Sequence, residues 1–265
     1  MAYTIDGLVL RVKSTGENDK LITLLTAEQG RISVLVKGGR SLKSGSLSAT
    51  QLFAYGNYEI TDRSGFKWLR GASPIRQFDG LTGSVEKISL ASYFSSVAEE
   101  LSGENENADD ILRLTLNSFF ALECDKKPHS QIKACFELRA AALSGFMPDV
   151  SSCGLCNTKS AEFFYLDVMN GRLLCPECMR KASNEAIRDR GRSEDIREAI
   201  VMLPLTPSVA EAIRYVISAD SRRMLSFTLA DDELHDFERA AETYLLSHLG
   251  HGFDTLEFYK IIIKN

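Results

Sequence analysis

The chain has 265 residues, 44% of them hydrophobic and 25% charged, with a formal net charge of −5. That is an ordinary globular balance with room for two domains. No apolar run nears the ~20 residues that cross a bilayer, and Met1-Ala-Tyr-Thr-Ile-Asp6 lacks the basic start and apolar run of an export signal, so a cytoplasmic protein without a membrane partner is expected. The charge is uneven: residues 1–80 hold 11 Lys+Arg against 7 Asp+Glu, net +4, which leaves 20 against 29, net −9, for the rest. A basic segment on an acidic body hints at a polyanion ligand.

Residues 1–80 read as strands. Tyr3–Lys13 alternates, with Leu8, Leu10 and Val12 on one face and Val9, Arg11 and Lys13 on the other. Ser14–Asp19 is a turn cluster and Leu21–Thr26 a second strand. After Glu28-Gln-Gly30 comes Arg31–Lys37, with Ile32, Val34 and Val36 inward. A glycine-rich loop, Gly38–Ser46, carries Arg40 and Lys43. Leu52–Thr61 and Phe66–Ala72 flank the Asp62-Arg-Ser-Gly65 turn. Five short strands in this span suit a small closed barrel of the OB type, whose face and loops often hold oligonucleotides. Lys37, Arg40 and Lys43 beside two glycines let a phosphate strand approach closely, and Arg11, Lys13 and Arg31 extend the same surface by alternation. A solvated loop and an ordinary polar face are the bland alternative. Trp68, Phe66 and Tyr55 are expected to fill the barrel core, with base stacking as the other reading.

From Gly83 the apolar spacing becomes helical: Ser84–Leu101, Ala108–Glu123 and Ser130–Ser144, the last stopped by Gly145. Further on, Ser193-Glu-Asp-Ile-Arg has capping character, Thr206-Pro-Ser opens a helix, and Asp232–Leu249 is a long amphipathic one closed by Gly250. The expected fold is thus α+β: a five-stranded OB-fold barrel at 1–80, then a helical domain at 81–265.

Between these helices lies the most specific signal. Cys153-Gly-Leu-Cys156 and Cys175-Pro-Glu-Cys178 are two C-x-x-C knuckles with residues 157–174 between them. Each knuckle offers one edge of a thiolate tetrahedron, with Zn–S about 2.3 Å. One structural Zn2+ per chain is expected, in a module at about 150–182, because a catalytic zinc keeps a position open for water. Two disulfides or unrelated thiols are the alternative. Asn170-Gly171 marks a hairpin between the knuckles. The leftover Cys124 and Cys135 read as buried free thiols. No P-loop, H-E-x-x-H or H-x-E pair is present, so no catalytic residue is expected. Asp109-Asp110 and Asp231-Asp232-Glu233 suit helix N-termini.

The chain resembles the bacterial recombination-repair family RecO. The carriers are Gly7-Leu-Val-Leu-Arg11, Thr26-Ala-Glu-Gln-Gly-Arg31, Val36-Lys-Gly-Gly-Arg-Ser41, the Tyr93–Leu101 helix, Phe136–Phe146, the four cysteines and Thr255-Leu-Glu-Phe-Tyr259. The resemblance implies a cytoplasmic, nucleoid-associated protein that binds single- and double-stranded DNA. It implies annealing of complementary strands and help in loading the recombinase onto DNA covered by single-strand-binding protein. It further implies RecR and the acidic C-terminal tail of single-strand-binding protein as partners. The tail is expected near Phe136, where Lys133 and Arg139 are the nearby cations. The competing reading is a zinc-stabilised adaptor whose barrel holds a protein instead of DNA.

Overall fold

A computed structural model describes residues 2–39, 46–189 and 201–264. The expected Ser193 capping segment, Arg40 and Lys43 lie outside the described residues. The first element, β1 (Ala2–Thr15), is followed by β2 (Asp19–Thr26), β3 (Gly30–Val36), β4 (Tyr55–Arg63) and β5 (Phe66–Arg76). They close a barrel in the order β1-β2-β3-β5-β4. All pairings are antiparallel except β3 with β5. This is the OB-type closure expected from the strand count.

Alternation places the barrel core correctly in β3, where Ile32, Val34 and Val36 are buried, but fails in β1. A bulge between Val9 and Arg11 shifts the register against β2. Val9 joins Ile5, Ile22, Leu24, Tyr58 and Ile60 inside the barrel, whereas Leu8 and Leu10 are buried apart from that cluster. Val12, expected on the same face as Leu8 and Leu10, is 37% exposed while they are buried. One inserted residue flips every later side chain to the other face, and sequence alternation cannot show it. Tyr58 is the large core aromatic, and its hydroxyl donates to Ala49 O at 2.6 Å. Burial raises its pKa.

Three helices belong with the barrel: α1 (Val85–Leu101), α2 (Asp109–Cys124) and the C-terminal α7 (Asp254–Lys264). Two compact units result, residues 1–126 with 253–265, and residues 127–252. The change from strand to helix lies near the expected 80/81 boundary, but the compact units divide the chain elsewhere. The reason is local. Between α1 and α2 the backbone docks on the β2–β3 turn, through Arg31 N to Gly103 O at 3.1 Å, Asn105 N to Gln29 O at 2.9 Å and Ala108 N to Ala27 O at 2.8 Å. Gly30 permits this approach: its φ is +61°, and an added Cβ would lie 2.0 Å from Gly103 O. At the other end Thr255 Oγ1 donates to Ser96 Oγ at 3.1 Å, and Phe253 meets Tyr93 edge-on.

The second unit contains α3 (His129–Leu143), β6 (Asp149–Cys153), β7 (Phe164–Asp167), β8 (Arg172–Leu174), α4 (Pro176–Asp189), β9 (Met202–Leu205), α5 (Pro207–Ser218) and α6 (Asp231–Leu249). Helix α3 packs on α6 and α5. Thr206 caps α5 by accepting from Val209 N at 3.2 Å, and Gly250 ends α6 in a left-handed turn, both as expected. The expected hairpin β7–β8 is present, but it is the middle of a four-stranded sheet ordered β6-β8-β7-β9. Strands β6 and β9 are too short to show a period.

Gly30→Ala is expected to cost more than about 2 kcal/mol in urea unfolding, because backbone strain adds to a backbone clash. Gly16→Ala, also at positive φ but facing open space, is expected to cost about 1 kcal/mol.

Candidate metal centre and nucleic-acid interface

The sheet of the second unit brings the cysteines together. Strands β6 and β8 run parallel, and each ends at a knuckle. Cys153 is the last residue of β6, and Cys156 lies in the turn after it. Cys175 directly follows β8, and Cys178 sits in the first turn of α4, which Pro176 opens. Parallel neighbours place their ends side by side, so residues distant in sequence meet. Gly154 N donates to Leu173 O at 2.7 Å, which fixes one knuckle against the other strand. The hairpin between is held by buried Asp167, which accepts from Asn170 Nδ2 at 2.8 Å and Arg172 Nε at 3.2 Å. Arg214 of α5 donates to Val150 O at 2.6 Å and ties β6 to the helices.

All four sulfurs lie within 4.8 Å of one another, and Cys156 Sγ is 3.7 Å from Cys175 Sγ. A tetrahedron with metal–sulfur bonds of about 2.3 Å has edges of about 3.8 Å. None of the four is in a disulfide. The donor set also fits electrostatically. Burial raises the Cys153 thiol, but N–H groups of Cys175, Cys156 and Leu155 outweigh it and bring the thiol down to about 6. Cys178 goes the other way, to about 12, through burial and its neighbouring thiols. Four crowded sulfurs cannot all ionise alone; a dication among them makes four thiolates favourable. These cysteines form a group able to hold a metal ion. Among the described residues no histidine joins such a group: His248 Nδ1 contacts Tyr244 O and His251 Nδ1 contacts Gly252 O, each at 2.9 Å. Cys135 is a buried thiol as expected, raised by burial, while Cys124 is only half-buried.

The cations expected to bind DNA do not form one patch. Arg11 pairs with Glu99 of α1, and Arg31 Nη1 donates to Glu99 O at 3.2 Å, so both converge on the helix. Lys13 and Lys37 are exposed, and they lie by register on another part of the barrel. Lys13 pairs Leu21, Leu21 pairs Leu35 and Leu35 pairs Trp68, so one row crosses the outer face from β1 to β5. Beyond Trp68 the row reaches Thr61, and past Asp62–Lys67 the next pair on the same face is Arg63 with Phe66. A groove of about 370 Å³ opens there, lined by Lys37, Arg63, Arg70, Phe66 and Trp68 with Thr61 and Ser64. Among the described residues no carboxylate lines it. Glu59 approaches Arg70 at 3.8 Å and Asp62 pairs Lys67 at 3.1 Å nearby.

Phe66 is 60% exposed and Trp68 half-buried, so the expected placement of these aromatics in the core is corrected. Tyr58 and the aliphatic residues of the other strands fill the interior, and no β5 residue is fully buried. Tyr55 is half-buried in a separate cleft beside Asp6 and Asp109. Arg63 and Arg70 were not among the expected contacts. Their signal was available: Arg63 ends β4 beside the turn into β5, and Arg70 lies two residues after Trp68.

The pair expected to hold an acidic tail is also corrected. Lys133 is fully buried on α3, with Nζ 2.7 Å from Glu242, 3.1 Å from Glu137 and 3.5 Å from Glu238. Burial lowers its pKa, but the three carboxylates outweigh that and hold it above the usual lysine range. It pins α3 to α6 and cannot greet a partner. Arg139 spends Nη1 on the terminal carbonyls of α5, Val216 O and Ile217 O. Lys133→Met is expected to destabilise the chain by about 3–5 kcal/mol in urea unfolding, because it takes the cation away from the buried Glu137 carboxylate and from Glu242. Adding Glu137→Leu should recover much of the loss.

Comparison with known sequences agrees with this architecture. The family profile described as Recombination protein O N terminal matches residues 1–78, and Recombination protein O C terminal matches 83–257. A DNA repair protein RecO of Acetivibrio thermocellus is 25% identical over 256 residues, covering 97% of this chain and 95% of its own. One of Symbiobacterium thermophilum is 24% identical over 261 residues, with 97% and 96% covered. One of Anaeromyxobacter sp. strain K is 31% identical over 177 residues, 66% of this chain and 69% of that one. With a barrel, a helical unit and both halves of the profile in place, the chain belongs to the Recombination protein O (RecO) family.

Proposed function

We propose that this chain is a non-catalytic, DNA-binding mediator of recombinational repair that acts in the cytoplasm on the nucleoid. The observation that carries the reading is the outer face of β3, β5 and β4, where Lys37, Arg63 and Arg70 line one groove with no carboxylate among the described residues and exposed Lys13 continues the row. Cations so placed neutralise backbone phosphates of single and double strands alike. Annealing follows from the same chemistry: two complementary strands repel through their phosphates, and a cationic face lowers that barrier. Arg11 flanks the track, and Arg40 and Lys43 follow Lys37 closely in sequence and add to it. Arg31 serves mainly to hold α1. The acidic remainder of the chain, net −9, keeps DNA to the barrel. RecR and the tail of single-strand-binding protein are its protein partners, and recombinase loading on covered DNA is the outcome. The tail requires cations other than Lys133.

We assign the four-cysteine group one structural Zn2+. Cys153, Cys156, Cys175 and Cys178 complete its shell, and its chemistry is to hold β6 and β8 together at their ends.

The purified chain is expected to accelerate annealing of complementary oligonucleotides and to bind them more weakly as salt rises. Lys37→Ala with Arg63→Ala should lower the single-strand salt slope by about 1.4 and weaken binding at least about tenfold at low salt. Unchanged DNA binding in that variant would transfer the barrel to a protein ligand. Metal analysis should find one zinc per chain. Cys175→Ser should lose it and lower the melting temperature of residues 127–252, as followed by hydrogen exchange.

A further inference from the structure

The geometry points to a base-stacking subsite in the barrel groove, one that takes unstacked nucleobases of single-stranded DNA on Phe66 and Trp68 while Lys37, Arg63 and Arg70 hold the flanking phosphates. It rests on the DNA-binding reading above and specifies which form of DNA this face prefers. Phe66 and Trp68 alternate along β5 and so share its outer face. Register puts Thr61 opposite Trp68 and Arg63 opposite Phe66. The two rings and the guanidinium of Arg63 therefore stand on one shelf, in a groove of about 370 Å³.

Folding does not explain these rings. The barrel interior is filled without them, and Phe66 keeps 60% of its surface in water. A phenyl ring left so exposed forfeits most of what its burial would contribute. A second observation comes from the same groove. Thr61 lines it, and the buried Thr61 Oγ1 has no hydrogen-bond partner among the described residues. Aromatic faces beside cations suit a nucleobase flanked by phosphates.

The arrangement separates two kinds of contact. Phosphates are present on single and double strands, so the cations serve both. Base faces are free only on single strands, because duplex bases already stack on one another. Stacking therefore favours the annealing substrate over its product. When complementary strands pair, the bases leave Phe66 and Trp68, and the duplex is held by phosphate contacts alone. The shelf thus gives annealing a direction of release.

Trp68 is the only tryptophan of the chain, so its fluorescence reports on the groove directly. The full-length protein is titrated with oligothymidylate, with an abasic strand of equal length and with the matching duplex, while anisotropy of labelled strands follows binding. Expected are saturable quenching by oligothymidylate, little change with the abasic strand, and tighter binding of the first. Phe66→Ala, at an exposed position that keeps the reporter, should lower the preference for single strands over duplex about tenfold. Equal binding of thymidylate and abasic strands, with the preference unmoved by Phe66→Ala, would overturn the stacking shelf and leave phosphate binding standing. Binding of no strand at all would remove both readings.

Discussion

Strand β1 has two neighbours and satisfies both. Its first half pairs with β4 from Ala2 to Leu8, and its second half pairs with β2 from Gly7 to Thr15. A strand of 14 residues can do this only by bending, and the bulge between Val9 and Arg11 supplies the bend. Closure follows, since β3 and β5 then meet in parallel and no open edge remains in the barrel. The bend also sorts side chains. Val9 faces the interior, while Arg11 and Lys13 face out. Helices α1 and α2 lie against β1 and β2, so the barrel's outer surface is covered on one side. What stays open is the side built from β3, β5 and β4, and the aromatic and cationic residues stand there.

Availability separates the cations more sharply than their number does. Lys20 is buried and gives Nζ to Thr50 O at 2.8 Å, its pKa lowered by burial. Arg31 is half-buried against α1, and Lys133 and Arg139 are consumed inside the second unit. A charge that already has hydrogen-bond partners in the folded chain has little left for phosphate. Of the exposed cations of the barrel, Lys13, Lys37, Arg63 and Arg70 lie on the outer face around β3, β5 and β4. A surface of few cations releases few counterions, so the affinity it can give a polyanion is modest and its salt dependence shallow.

The two units solve the same problem by different means. The barrel closes on its own hydrophobic interior. The small sheet β6-β8-β7-β9 has only short strands, of 5, 3, 4 and 4 residues. Such strands bury little surface, and a metal ion held by the four sulfurs at the ends of β6 and β8 would provide a crosslink that hydrophobic contact does not. Arg214 and the α3–α6 contact then carry that rigidity into the helices. The buried Lys133 cluster adds a polar pin between α3 and α6, of a kind that specifies one arrangement and is costly to break.

The four-cysteine group was legible in the chain because each knuckle is local: two residues separate the sulfurs of each pair, and Gly154 and Pro176 mark the turns. The five strands, the Asn170-Gly171 hairpin, the cap at Thr206 and the stop at Gly250 were legible for the same reason, since each depends on neighbours in sequence. The β1 bulge was not, because Gly7-Leu-Val-Leu-Arg11 alternates equally well with either set of residues inward. Phe66 and Trp68 read as core residues for want of any local sign of which β5 face would be covered. Lys133 read as an exposed cation, because its partners Glu238 and Glu242 lie more than a hundred residues away. Local turns and spacings are written in the chain itself; which face meets water is settled only when distant elements pack over one side and leave the other open.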